Sequence, residues 1–248
     1  MSFSYFFFGI IGIIVAIILI FGLPRKNSGR LPNIEGIYNT DVAKAFERMT
    51  NLPPFKLLYQ KVVSCLKEFN PSGKLVDIGC GTGNLIVKIA EKYSDLELIG
   101  VDISSETLEY AKKRATRKKL DRKIEFKIGN VEDLPFPNNS VDIIVSTLSL
   151  HHWENPTKAF KELYRVVKEN GRLLIFDFRR DSRKFFYGFL KFITKVIVPK
   201  PLKKVNEPLG SLQSGYTPRE IYEIFSQISV KNVEIKPFLA WMFIIITK

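Results

Sequence analysis

An α/β fold with a mostly parallel sheet is predicted by three features of the chain. From residue 74 to residue 178, short β-rich runs alternate with helix-length segments. The first run ends in the glycine cluster of "LVDIGCGTGNL" (75–85), a strand followed at once by bare backbone. The last two apolar runs, "VKNVEIK" and "FLAWMFIIITK", have little between them and suit an antiparallel pair at one edge.

The elements follow in order. "KLVDIG" (74–79) and a run within "LELIGVDI" (96–103) are predicted strands. "KIEFKIG" (123–129), "VDIIVSTL" (141–148) and "RLLIFDF" (172–178) complete five β-units. Ser104 or Ser105 can cap the helix "ETLEYAKKRATRKKL", whose acids come early and bases late, as the helix dipole favours. Asn155 and Pro156 start a second helix, with Phe160, Leu163, Tyr164 and Val167 as its apolar stripe and Asn170-Gly171 as its stop. "TPREIYEIFSQI" is also predicted helical. Helices joining parallel strands give right-handed crossovers. The result is a Rossmann-like, doubly wound sheet of seven strands, mostly parallel with an antiparallel edge strand.

The N-terminus predicts one transmembrane helix ahead of this domain. Every residue from Tyr5 to Leu23 is apolar, aromatic or glycine. A helix of that length rises roughly 28 Å, close to the hydrocarbon thickness of a bilayer. A cleaved signal peptide would need a basic residue before the run and a small-x-small site after it, and neither is present. Arg25, Lys26 and Arg30 flank only the C-terminal end, so the positive-inside rule predicts a single-pass protein, N-terminus outside and the rest cytoplasmic. The expected domains are an anchor at 1–24, a polar tether at 25–36 and a globular domain at 37–248.

The two cysteines, Cys65 and Cys80, form no CxxC or Cys/His cluster, which excludes a disulfide framework and a zinc site. Formal charge is +13, well beyond what solubility needs. For a chain tied to a membrane, anionic lipid head groups are a more economical partner than nucleic acid.

Three ligand classes compete for the glycine turn. A nucleoside triphosphate site wants GxxxxGK[ST], which is absent. A dinucleotide site wants GxGxxG, but position 84 is Asn, and the spacing of Gly79, Gly81 and Gly83 is GxGxG. Asp77 precedes it, and an acid there would repel a pyrophosphate and favour a ligand carrying an ammonium group.

Four stretches in order, "VDIGCGTGNL", "IGVDIS", "GNVEDLPFPNNSVDIIVSTLSLHHW" and "ELYRVVKENGRLLIFDF", resemble the class I S-adenosylmethionine-dependent methyltransferases, in the branch that includes quinone and small-molecule enzymes. The resemblance covers residues 37 to 180 well and the rest in outline. It implies that the backbone around Gly79, Cys80 and Gly81, with Gly83 closing the turn, approaches the methionine moiety of S-adenosyl-L-methionine. It implies that Asp77 accepts from the cofactor's amino group and that Asp102 takes both ribose hydroxyls, a role suited to an acceptor-only carboxylate. Ile103 would pack against the adenine, with Asn130 and Val131 at its edge; most relatives have Asp at the place of Asn130. Asp77 and Asp102 also admit blander roles, as a loop-bonding acid and a helix cap.

His151 and His152, the only histidines, lie past the fourth strand where an acceptor would enter. They are the candidate catalytic residues, either touching the acceptor or simply packing there. "STLSLHHW" replaces the Asn/Asp-Pro-Pro-aromatic run of enzymes that methylate exocyclic base amines, which argues against that subset of nucleic-acid methylation. The insertion 179–216 is basic and aromatic, with Phe185, Phe186, Phe189, Phe192, Ile193 and Val196 among Arg183, Lys184, Lys191 and Lys195. It reads either as a helix in a membrane interface or as an amphipathic cover of the sheet. The leading expectation is a membrane-anchored methyltransferase for a lipophilic or amphiphilic small molecule. A soluble metabolite or protein acceptor, and a non-catalytic cofactor-binding scaffold, are the alternatives.

Overall fold

The protein is represented by a computed structural model that describes residues 12, 18–32, 40–228, 230 and 232–248. The predicted span at 5–23 lies largely outside the described residues, as does the expected domain start at residue 37. Among the described residues no helix is long and apolar enough to cross a membrane. Ile18–Gly22 form a single π-helical turn.

Two helices, α1 (Thr40–Thr50) and α2 (Pro53–Lys67), lead into the alternating region. There β1 (Lys74–Ile78), α3 (Asn84–Lys92), β2 (Glu97–Asp102), α4 (Ser105–Arg117), β3 (Ile124–Ile128) and β4 (Val141–Thr147) follow in turn. A 3₁₀ turn, Leu150–His152, precedes α5 (Pro156–Val166) and β5 (Val167–Phe178). The insertion contains α6 (Lys184–Val196), α7 (Lys200–Lys204) and α8 (Leu209–Ser214). The chain ends in α9 (Pro218–Ser226), β6 (Val233–Pro237) and β7 (Trp241–Thr247).

The strands form one seven-stranded sheet in the order β3-β2-β1-β4-β5-β7-β6. β1 to β5 pair in parallel, and β7 runs antiparallel to both β5 and β6. Strand order therefore reverses between β1 and β4, and the carboxyl ends of those two strands flank the crevice where open α/β sheets bind ligands.

Alternation along the strands assigns the two faces. Val76, Ile78 and Ile144 join Phe160 and Leu163 of α5 and Ile221 and Phe225 of α9 in one core layer. Leu75, Ile143 and Val145 meet Val62 and Leu66 of α2 and Ile86 and Ile89 of α3 in the other. Phe160 is 1% exposed and packs edge-on against Trp153 and Phe225, at ring separations of 5.4 and 4.7 Å.

The local signals act as their chemistry suggests. Ser104 caps α4 by accepting from the Thr107 amide, and Asn155 caps α5 by accepting from the Lys158 amide. Thr217 and Glu220 close a capping box on α9. The stop of α5 differs from expectation. The helix ends at Val166, and Val167 is already extended and paired with Val141 of β4, so Val167 does not belong to the helical stripe. Lys168 follows Val167 in the strand and binds the Asp142 carboxylate of β4 at 2.9 Å, so strand pairing overrides a helical pattern.

Residues 23–31 lie along the domain. The Pro24 carbonyl accepts from the Lys184 amide at 3.0 Å, and the Lys26 amide donates to Ser182 at 2.9 Å. Arg180 donates to the Ser28 carbonyl, and the Leu31 amide donates to Gln213. The part of the polar tether that is described is thus a strap over the insertion. Phe160→Ala should lower stability by about 3–5 kcal/mol in a denaturant titration. A loss under about 1 kcal/mol would show that the α5 face is not the core of the domain.

Candidate active site

The loop after β1 is built to expose backbone. Gly79 and Gly81 take φ of +67° and +51°, a left-handed conformation costly for residues with a side chain. A Cβ on Gly79 would lie 2.1 Å from Ser149 Oγ, so the loop presses directly on the turn that carries the histidines. A Cβ on Gly81 would meet nothing within 4 Å, so that backbone faces open space. Cys80 turns its side chain inward, where it is buried beside Gly100, and only its backbone is part of the cradle. Gly83 precedes α3 and packs against Ala111 of α4.

Asp77 and Asp102 stand at the base of this loop. Asp77 is 1% exposed, and its Oδ2 has no hydrogen-bond partner among the described residues. Burial, reinforced by the negative charge of Asp102, pushes its carboxyl well above the ordinary carboxylate range, while a backbone bond from Ile86 opposes the shift. Asp102 ends β2 and holds the loop in place: Oδ2 accepts from the Gly81 amide at 2.7 Å, and Oδ1 accepts from the Ser104 amide and the Thr107 hydroxyl at 3.0 and 3.1 Å. The helix-capping role weighed for Asp102 is therefore present beside any ligand role.

Ile103, next in the chain, is 51% exposed, an apolar surface beside the loop. Asn130 Oδ1 accepts from the Glu132 amide at 2.9 Å in a tight turn, so one of the two lone pairs expected for an adenine amine is already engaged. Val131 packs its side chain partly into the core layer beneath.

Across the crevice, His151 is 2% exposed and held by Asp177. Asp177 Oδ1 lies 2.6 Å from His151 Nδ1 and Oδ2 accepts from the His151 amide at 3.1 Å. A carboxylate on Nδ1 fixes the proton there and leaves Nε2 as the basic nitrogen. That Nε2 is buried and has no hydrogen-bond partner among the described residues. Thr147 Oγ1, at the end of β4, is in the same state. The His152 ring centroid lies 3.8 Å from that of His151, and His152 is only half-buried.

The crevice thus brings together Asp77, the glycines, Asp102, Ile103 and His151. Three contributors are not among the site residues expected from the sequence. Ser149 braces Gly79. Asp177 orients His151, and its sequence signal was an acid inside the otherwise apolar strand "LLIFDF". Arg30 reaches over from the strap to donate to the His151 and Ser214 carbonyls at 2.8 and 2.7 Å, stacked 4.4 Å from the Tyr216 ring. The described residues contain no group of three or more His, Cys, Asp or Glu placed to hold a metal ion.

Comparison with known proteins defines the class. Residues 76–175 match a family model described as a methyltransferase domain. The ubiquinone/menaquinone biosynthesis C-methyltransferase UbiE of Rickettsia felis (strain ATCC VR-1525 / URRWXCal2) is 30% identical over 185 residues, covering 72% of this chain and 74% of the relative. A SAM-dependent methyltransferase from Aquifex aeolicus has the same fold, with a TM-score of 0.62, 19% identity and coverage of 83% of this chain and 97% of that one. Phosphoethanolamine N-methyltransferase 2 of Haemonchus contortus, solved with S-adenosyl-L-methionine, has a TM-score of 0.64 at 18% identity, covering 86% and 58% of the two chains.

The chain belongs to the S-adenosylmethionine-dependent methyltransferases. Its own residues fit that cofactor: Asp77 Oδ2 is buried with no partner among the described residues, as an acceptor for an ammonium group would be, and the open backbone at Gly81 admits a ligand where a side chain would intrude.

Two predictions follow from the acids. Asp102→Ala should weaken cofactor binding by about 2 kcal/mol in calorimetry, through loss of charge-assisted hydrogen bonds. An unchanged affinity would remove Asp102 from the ribose site. Burial and the Asp102 charge raise the Asp77 pKa, and a cationic ammonium group arriving beside it should draw that pKa back down. Cofactor affinity should then rise with pH between the lowered bound and the elevated free Asp77 values, and binding should release protons within that interval. Binding heats that do not depend on buffer ionisation enthalpy would show that Asp77 does not change charge.

Proposed function

We propose that this enzyme methylates a carbon of a lipophilic, quinone-precursor-like acceptor at a membrane surface, with His151 as the proton acceptor. The Asp177-oriented, bare Nε2 of His151 carries the reading, because it suits an acceptor that must shed a proton on methylation, as a carbon centre does. The name of the Rickettsia felis relative, a C-methyltransferase of quinone biosynthesis, points the same way. The apolar N-terminal run supports a location at the membrane, with the domain on its cytoplasmic side.

When bound, S-adenosylmethionine supplies an electrophilic methyl group. This chain supplies alignment and a dry crevice. The Gly79–Ser149 contact fixes the cofactor loop against the histidine turn, so both partners of the reaction are positioned by one rigid junction. Asp177 holds the His151 ring so that Nε2 is the nitrogen available to the acceptor, and its charge would stabilise the imidazolium that proton transfer forms.

The test uses methyl-labelled S-adenosylmethionine, the full chain and lipid extracts containing demethylated quinones. Label should move into the organic phase. His151→Ala and Asp177→Asn should cut kcat by on the order of 10²-fold or more while leaving cofactor affinity within about twofold. Label confined to the aqueous phase or to protein would reject the lipophilic acceptor, and normal turnover by both variants would make the histidine structural.

A further inference from the structure

α6 presents an apolar face that the domain does not use. At about 100° per residue, Phe185, Phe189, Phe192 and Val196 fall within an arc of roughly 60°. Phe189, Phe192 and Val196 are 48%, 57% and 58% exposed, and the Phe185 and Phe189 rings stack on the surface at 6.2 Å. The opposite side of the helix is the one that packs: Tyr187 and Thr194 are buried, and the Tyr187 hydroxyl donates to the Arg180 carbonyl at 2.7 Å. Just beyond the stripe, Val198 and Leu202 are buried against α1, so the exposure belongs to this face and not to the whole insertion.

Two further observations say what covers it. Lys184, Lys191 and Lys195 form an exposed row along one flank of the stripe, about a quarter-turn or slightly more from it. Aromatics flanked by lysines match the layering of a bilayer interface, with rings among the upper acyl chains and ammonium groups at phosphate level. The described end of the apolar N-terminal run, moreover, is tied to the start of this same helix. The Leu23 carbonyl accepts from Arg183 at 2.7 Å, the Pro24 carbonyl accepts from the Lys184 amide at 3.0 Å, and the backbones of Arg25 and Arg183 pair in an isolated antiparallel β-bridge. Ile18 and Phe21, 59% and 51% exposed, extend the apolar surface past that junction.

We propose that the outward stripe of α6 docks on an anionic lipid bilayer, lying in the interface beside the point where the N-terminal run enters. The helix would orient the catalytic domain on the membrane, where a lone anchor would leave it free to swivel. This inference uses the membrane location proposed above but not the identity of the acceptor.

The test is a spin label at position 192 of the full chain, as Phe192→Cys in a Cys65→Ser background, with vesicles of phosphatidylcholine and phosphatidylglycerol. A label at Lys113→Cys on α4, at the other end of the sheet, is the comparator. Vesicles should lower the access of an aqueous nickel chelate to position 192 by about fivefold or more and leave position 113 unchanged. The effect should shrink in pure phosphatidylcholine and in Lys191→Glu/Lys195→Glu. Protein that floats with vesicles while position 192 stays open to the chelate would overturn the docking and leave the anchor standing. A label already shielded without vesicles would overturn it in favour of cover by the chain's own N-terminal run or by a second copy. Protein that does not float at all would overturn both. In every case calorimetric cofactor binding reports separately on the methyltransferase site.

Discussion

The contact between Gly79 and Ser149 is the constraint on which the rest of the site depends. No side chain fits there, because a Cβ would overlap the serine hydroxyl at 2.1 Å. That intolerance joins the loop after β1 to the turn after β4, the two segments that strand-order reversal places side by side. Ser149 Oγ in turn accepts from Trp153 Nε1 at 3.1 Å, and Trp153 packs on Phe160 in the core. The glycine loop after β1, the histidine turn and the α5 face of the sheet are therefore one packed unit. Such junctions deform little, because protein interiors are close-packed.

Much of this was legible in the sequence. Glycine spacing, an acid one residue before the end of β1 and an acid ending β2 are local patterns, and they mark the loop after β1 because backbone exposure and strand ends are local properties. Caps at Ser104 and Asn155 were legible for the same reason. What escaped was long-range. Asp177 reads as one acid in an apolar strand until β5 pairs beside β4 and brings it under His151. Arg30 reads as a charge flanking an apolar run until it is seen bonding the carbonyl of His151, far along the chain. The α5 stop moved because Val167 gains a partner in β4 that no helical periodicity reveals.

The sign and placement of charge carry a further lesson. The formal charge of +13 suggests a uniformly basic surface, yet the crevice gathers Asp77, Asp102 and Asp177, all buried. Burying carboxylates costs free energy that only partners or a cationic ligand offset. Asp177 has its histidine and backbone donors, and Asp102 has amides and a hydroxyl. Asp77 retains an orphaned oxygen and is the least compensated of the three.

Arginines and lysines divide the positive charge between them. Arg25, Arg30, Arg180 and Arg183 all donate to backbone carbonyls across the strap and the insertion, at Asp181, Ser214, Ser28 and Leu23 among others. A planar guanidinium can satisfy several fixed acceptors at once, which suits it to sewing one chain segment onto another. The lysines of α6 make a row of exposed ammonium groups, the more strongly hydrated and more mobile kind of cation. Charge that is fixed by arginine thus ties residues 23–31 to both the base of α6 and the carbonyl of His151, while the lysine charge is left facing outward. Any force that α6 meets at a lipid surface would consequently act on a strap whose far end rests on the histidine turn.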